Sequence, residues 1–145
     1  MAITVKQITL WRAEVDNNAG TLARTIEPLA KAGADLNVIM GYKHHAAQGK
    51  AVIEVFPVAG KKLAAAAGTT GLGAASIPTL LVEGDNKPGL GHAVALAVGD
   101  NEINMAFLVA QVIGRRFAAV IGFETDEDAK KAAPLIKKAA KSKKR

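Results

Sequence analysis

Cysteine is absent from all 145 residues, which excludes disulfides, iron–sulfur clusters, thiolate zinc sites and cysteine nucleophiles outright. Aromatic residues are scarce, with one Trp, one Tyr and four Phe. Phe117 has no aromatic residue two positions on, so the platform on which a sheet stacks nucleic-acid bases is not formed. Long apolar runs are missing too. Met1 to Val15 alternates polar and apolar residues where a signal peptide would be continuously apolar, and nothing approaches the ~20 residues of a membrane span. A soluble, cytoplasmic protein with no membrane partner is therefore expected. An excess of charge is missing from most of the chain as well. The formal +6 is accounted for by Lys137, Lys138, Lys141, Lys143, Lys144 and Arg145, so residues 1–136 are balanced and 137–145 form a basic C-terminal tail. Lys near a helix C-terminus complements the macrodipole and keeps a chain soluble, so the tail reads as a solvated helix end before it reads as a nucleic-acid site.

What is present is a repeat. Asp16-Asn17-Asn18-Ala19-Gly20-Thr21-Leu22 and Asp85-Asn86-Lys87-Pro88-Gly89-Leu90-Gly91 align at an offset of 69 residues. Each follows an extended apolar stretch, Ile8 to Trp11 and Thr79 to Glu83, rich in residues that suit a pleated surface. Each precedes an amphipathic stretch in which Leu22, Ile26, Leu29 and Ala30, or Leu90, Val94, Ala97 and Val98, fall on one helical face. Beyond the helices, 34–39 matches 103–108 as a second strand, and 51–56 and 117–123 supply a third. Thr125 offers a hydroxyl at an N-cap, and Asp126, Glu127 and Asp128 place carboxylates in the first turn of a helix expected over 126–140. Lys61 to Ala67 is a shorter helix, closed by a glycine-rich stretch, 68–76, that reads as linker or loop.

Each half thus reads β-α-β-β-α-β. The fold class is α+β, two tandem ferredoxin-like units, each an antiparallel sheet with helices on one face. Units are expected at 1–70 and 71–136, with a strand at 76–83 available to both. Two features strain this reading. Pro28 and Pro134 sit inside predicted helices, where proline costs ~3 kcal/mol or forces a kink. Leu10 and Ala13/Val15 lie on opposite faces of a regular strand, which calls for a bulge near Trp11 or burial on both faces.

The repeated strand-Asp-Asn-x-(Pro/Ala)-Gly-x-helix segment resembles the Asp-x-Pro-Gly-Leu signature of ACT domains, small regulatory βαββαβ modules, and the tandem is similar to stand-alone double-ACT proteins. Asp85-Asn86-Lys87-Pro88-Gly89-Leu90 matches well, whereas Asp16-Asn17-Asn18-Ala19-Gly20-Thr21 has Ala19 and Thr21 at the Pro and Leu positions. The resemblance implies a non-catalytic regulatory module that binds an amino acid where two such units meet, assembles as a homodimer, and signals to a regulated enzyme or transporter. The residues themselves suit such a ligand. Gly20 or Gly89 leaves no side chain between ligand and main chain, and Pro88 fixes the helical φ near the first turn. The helix N-terminus suits a carboxylate. Asp16 or Asp85 suits an ammonium, and Asn17, Asn18 and Asn86 both donate and accept. The same residue types also make a good strand-to-helix turn with no ligand at all.

Other chemistry is thinly supported. His44 and His45 are adjacent at an expected hairpin tip and read as exposed, and His92 is a lone imidazole near a helix start. Three scattered histidines without cysteine do not make a metal site, and no cofactor is implied. No Gly-x-Ser-x-Gly or Walker-type loop occurs, so no catalytic residue is named. Two alternatives share the element order: an RNA-recognition module carrying the basic tail, and a small ferredoxin-like enzyme using ordinary polar groups.

Overall fold

The computed structural model describes residues 3–141; Lys143, Lys144 and Arg145 of the basic tail lie outside them. The chain contains β1 (Ile3–Ile8), β2 (Trp11–Asp16), α1 (Thr21–Lys31), β3 (Val38–Lys43), β4 (Lys50–Phe56), α2 (Gly60–Gly68), β5 (Gly73–Ala74), β6 (Thr79–Asp85), α3 (Leu90–Asp100), β7 (Met105–Ile113), β8 (Arg116–Phe123) and α4 (Asp126–Lys141). These form two four-stranded antiparallel sheets, ordered β3-β4-β2-β5 and β1-β6-β8-β7. Each is a ferredoxin-like sheet with two helices. No helix among the described residues is long and apolar enough to cross a membrane.

The chain divides into Thr9–Ser76 and a second unit made of Met1–Ile8 with Ile77–Arg145. A contiguous division near residue 70 is therefore not the one the sheets follow. The stretch 8–11, read as one strand, is broken at Thr9 and Leu10, and its two sides join different sheets: β1 pairs with β6, while β2 pairs with β4 and β5. That break is the physical answer to the face conflict between Leu10 and Ala13/Val15. No bulge is needed where two strands meet. It also settles the strand expected at 76–83. A fourth strand is supplied to the Thr9–Ser76 sheet by the two residues of β5, inside the stretch read as linker, and to the other sheet by β1. β6 belongs to one sheet only.

Elsewhere the elements follow the residue pattern. α1 and α3 are each 11 residues long, and each is preceded by a left-handed glycine, Gly20 at φ 86° and Gly89 at φ 85°. An L side chain is strained there, which is why both turns carry glycine. α3 buries Leu90, Val94 and Val98 one above the other. α4 buries Ala129, Ala132 and Ile136, and the Thr125 hydroxyl accepts the Asp128 N–H at 3.0 Å as the expected N-cap. Pro28 and Pro134 lie inside α1 and α4, which continue through them as single helices. The second strand of the first repeat begins at Val38 rather than at residue 34. Ala34 and Leu36 instead pack on the core of that unit, around Leu29, Ile53, Val55, Ala67 and Leu72. In the other unit Leu80, Val82, Ala119, Ile121 and Phe123 meet the buried faces of α3 and α4. A register shift between Met105 and Phe107 puts Met105 and Leu108 on the same side of β7.

Candidate functional site

The two aligned turns fold alike, bond for bond. At the end of β2, the Asn17 N–H bonds the Gly49 carbonyl at 2.9 Å, and at the end of β6 the Asn86 N–H bonds the Arg115 carbonyl at 2.8 Å. Thr21 N–H donates to the Asn18 carbonyl and Leu90 N–H to that of Lys87. Arg24 and Ala93 N–H then close the first helical turns on the carbonyls of Gly20 and Gly89. A helix leaves its first four N–H groups without intrahelical partners. Of these, only the Thr21 and Leu90 N–H groups find an acceptor in their turns, so the N–H groups of Leu22 and Ala23, and of Gly91 and His92, are left to meet one.

The carboxylates at these turns are already ion-paired. Asp16 Oδ1 lies 2.6 Å from Lys50 Nζ, and Asp85 Oδ1 lies 2.9 Å from Arg116 Nη1. Both cations come from the first residue of the third strand of their repeat, so the pairing is the same device used twice. The hydrogen bond from Lys50, reinforced by its charge, holds the Asp16 carboxyl below its usual range. An incoming ammonium would have to share Asp16 or Asp85 with these partners. Asn17, Asn18, Asn86 and Pro88 are exposed in the loops, while Leu90 is buried in the core under α3. Leu90 thus anchors the helix and does not face a surface ligand.

Around the first turn the geometry opens into a cavity of about 270 Å³. Its wall runs from Asp16, Asn17 and Asn18 through Thr21 and Leu22 of α1 to Gly41, Tyr42 and Lys43 of the edge strand β3, over a floor of Val15, Ala51 and Ile53. Gly41 makes the space. It pairs with Ile53 across the sheet, and a Cβ built on it would meet nothing within 4 Å. At the matching position of the other unit, opposite Ala119, stands Ala110. The turn with the less typical residues, Ala19 and Thr21, is the one that carries this cavity.

On the opposite face of the same sheet lies a polar group that is inconspicuous in sequence. Glu54 is 1% exposed, accepts a hydrogen bond from the Tyr42 hydroxyl at 2.9 Å, and has Arg12 Nε 3.8 Å from its other oxygen. Burial first, and the bond to Glu54 second, push the Tyr42 hydroxyl's pKa up. Arg12 Nη1 also holds Glu14 at 2.7 Å, and Glu14 lies 3.3 Å from His44 Nε2. His44 is therefore partly buried beside a carboxylate, not the freely exposed tip residue expected, whereas His45 is exposed. Glu54 sits in the apolar run 51–56 and looks like an ordinary strand residue. Only the strands on either side give it partners. Among the described residues no three His, Asp or Glu side chains gather as a metal site would require.

No family model matches this chain, and no curated protein matches it in sequence. Solved structures do. The chain is similar to protein BT0572 from Bacteroides thetaiotaomicron at a TM-score of 0.72 and 12% identity, over 95% of this chain and 99% of that one. It is similar to the regulatory subunit of aspartate kinase from Thermus thermophilus, in a ligand-free form, at 0.64 and 14% identity, over 96% and 97%. The alpha and beta subunits of an aspartokinase match at 0.65 and 11% identity, over 96% and 97%. The fold is the tandem ACT fold. Coverage of nearly the whole of each chain means that both units, and not one of them, take part in the likeness. At these identities the fold is what is shared.

Proposed function

We propose that this chain is a non-catalytic regulatory module that binds a free amino acid in the cavity at the first strand-to-helix turn. The observation that carries the reading is the coincidence of that cavity with the start of α1. A carboxylate would accept the N–H groups of Leu22 and Ala23, with the helix dipole and Lys43 favouring its charge. Asp16, Asn17 and Asn18 supply acceptors for an ammonium, and Val15, Leu22 and Ile53 supply apolar wall for a side chain. The fold shared with aspartate kinase regulatory subunits supports a regulatory role, exerted through an enzyme or transporter that senses the liganded state.

The test is a thermal-shift panel of the twenty amino acids and close analogues. One class is expected to raise the melting temperature, since a ligand at 100 times its Kd adds about 2.7 kcal/mol of stability. Gly41→Val fills the cavity from a strand position that favours a β-branched residue. It is expected to leave the melting temperature of the free protein nearly unchanged and to abolish the shift. A panel with no shift, or a shift that survives Gly41→Val, would count against the site.

A further inference from the structure

We propose that the cavity at the first turn takes an acidic amino acid, one with a carboxylate on its side chain as well as at its α-carbon. This rests on the reading of the cavity as an amino-acid site and narrows that reading to a ligand class. Arg24 folds back over the glycine turn. Its Nη2 donates to Thr21 Oγ1 at 3.2 Å, and its Nη1 lies 2.9 Å from where a Cβ on Gly20 would sit. The Thr21 hydroxyl, accepting there, keeps its own proton to donate into the cavity it lines. Lys43 lines the same cavity from β3. Neither Arg24 nor Lys43 has an ion-pair partner among the described residues. The carboxylates nearest in sequence are already engaged: Asp16 with Lys50 at 2.6 Å, Glu27 with Lys31 at 3.2 Å, and Glu14 with Arg12 at 2.7 Å. The charges of Arg24 and Lys43 therefore stand uncompensated beside the cavity.

The other unit shows that the turn itself does not need these cations. Ala93 closes the first helical turn on Gly89 as Arg24 does on Gly20, and Val112 stands opposite Phe117 where Lys43 stands opposite Ala51. That turn folds bond for bond alike with alanine and valine in their places. What Arg24 and Lys43 add is charge and donors, and those select among ligands. An amino acid with a neutral side chain has no net charge and leaves both cations without a counter-ion. A basic one adds a like charge. An acidic one brings a second carboxylate, which accepts charge-assisted hydrogen bonds from the guanidinium, the ammonium and the Thr21 hydroxyl. Specificity here is the difference between an anion that these donors meet and an amide of the same shape that they meet less well.

Isothermal titration of the full chain with L-glutamate and L-aspartate, against L-glutamine and L-asparagine, tests this with pairs that match in shape and differ in charge. L-lysine supplies the opposite charge. The better of the two acids is expected to bind roughly tenfold or more tightly than its own amide. Arg24→Gln and Lys43→Gln each reduce that advantage, and the double variant brings it close to unity. Arg24→Lys keeps the charge and retains most of it. Far-UV circular dichroism and the melting temperature without ligand, unchanged in all the variants, separate a change of preference from a loss of folding. An amide that binds as tightly as its acid, or lysine bound more tightly than either acid, overturns the acidic class and leaves the cavity standing as an amino-acid site. An advantage that survives the double variant overturns the part given to Arg24 and Lys43. No binding of either acid overturns the class, and the panel of twenty amino acids then decides the amino-acid reading separately.

Discussion

The two units share a backbone and differ in what they place on the sheet face away from their helices. In the Thr9–Ser76 unit Arg12 stands opposite Glu54 on β2 and β4; at the same crossing of the other unit Leu81 stands opposite Val120 on β6 and β8. Tyr42, which donates to Glu54, has Gln111 as its counterpart. One fold therefore accommodates either a buried carboxylate with its partners or a pair of aliphatic side chains. The turn chemistry is alike in both units, from the left-handed glycine to the Asp–cation pair. The helix-side space is not, since Gly41 faces the cavity where the other unit has Ala110. What repeats is the backbone geometry of the turn, and what differs at this position of the sheet is side-chain volume, glycine in one unit and alanine in the other.

That comparison can be broken in steps of decreasing size. Arg12→Ala strands a buried carboxylate and is expected to cost about 3 kcal/mol. Arg12→Leu with Glu54→Val copies the other unit's Leu81 and Val120 and is expected to recover most of that loss, because replacing a buried pair by apolar groups is often near neutral. Chemical denaturation of the three proteins measures both effects, and a double variant no more stable than Arg12→Ala would show that the units are not interchangeable at this crossing. Next is Gly122→Ala. The added Cβ would run into the Phe107 ring, which lies across the glycine, and overpacking of this kind costs roughly 1–3 kcal/mol. A melting temperature equal to wild type would mean that the ring moves aside freely.

The smallest effect is electrostatic. Hydrogen bonds from Lys50 to Asp16, from Arg12 to Glu14 and from Gln7 to Asp126 hold all three carboxyls below their usual pKa. The unfolded chain then binds protons more readily than the folded one. Stability from these groups is present above the ordinary carboxylate range and is lost as pH falls through it to the depressed folded-state values. All three lie at the surface, so the effect is modest and screened by salt. Lys50→Met should flatten the acid limb of a melting-temperature profile slightly, by removing the contribution of Asp16; an unchanged limb would mean that the Asp16–Lys50 pair contributes nothing to stability.

Much of this architecture was legible because it is local. The spacing of Leu90, Val94 and Val98, the Thr125 cap and the two glycines at the turns are decided by residues close in sequence, and they appear where expected. The assignment of β1 was not legible, since its partner β6 lies some seventy residues away and alternation says nothing about which sheet a strand joins. Its trace was the face conflict at Leu10, equally readable as a bulge. For the site, the turn residues Asp16 to Gly20 were readable from their types. Gly41, Lys43 and Lys50 were not, because they reach the turn from neighbouring strands, and neither was the burial of Glu54, which depends on Arg12 and Tyr42.

Isothermal titration of the amino acid that shifts the wild-type protein, against Gly41→Val and Ala110→Val in parallel, tests the division of roles between the units most directly. Binding of one ligand per chain, lost in Gly41→Val and kept in Ala110→Val, is the expected result; loss in Ala110→Val with retention in Gly41→Val would place the ligand at the second turn and contradict it.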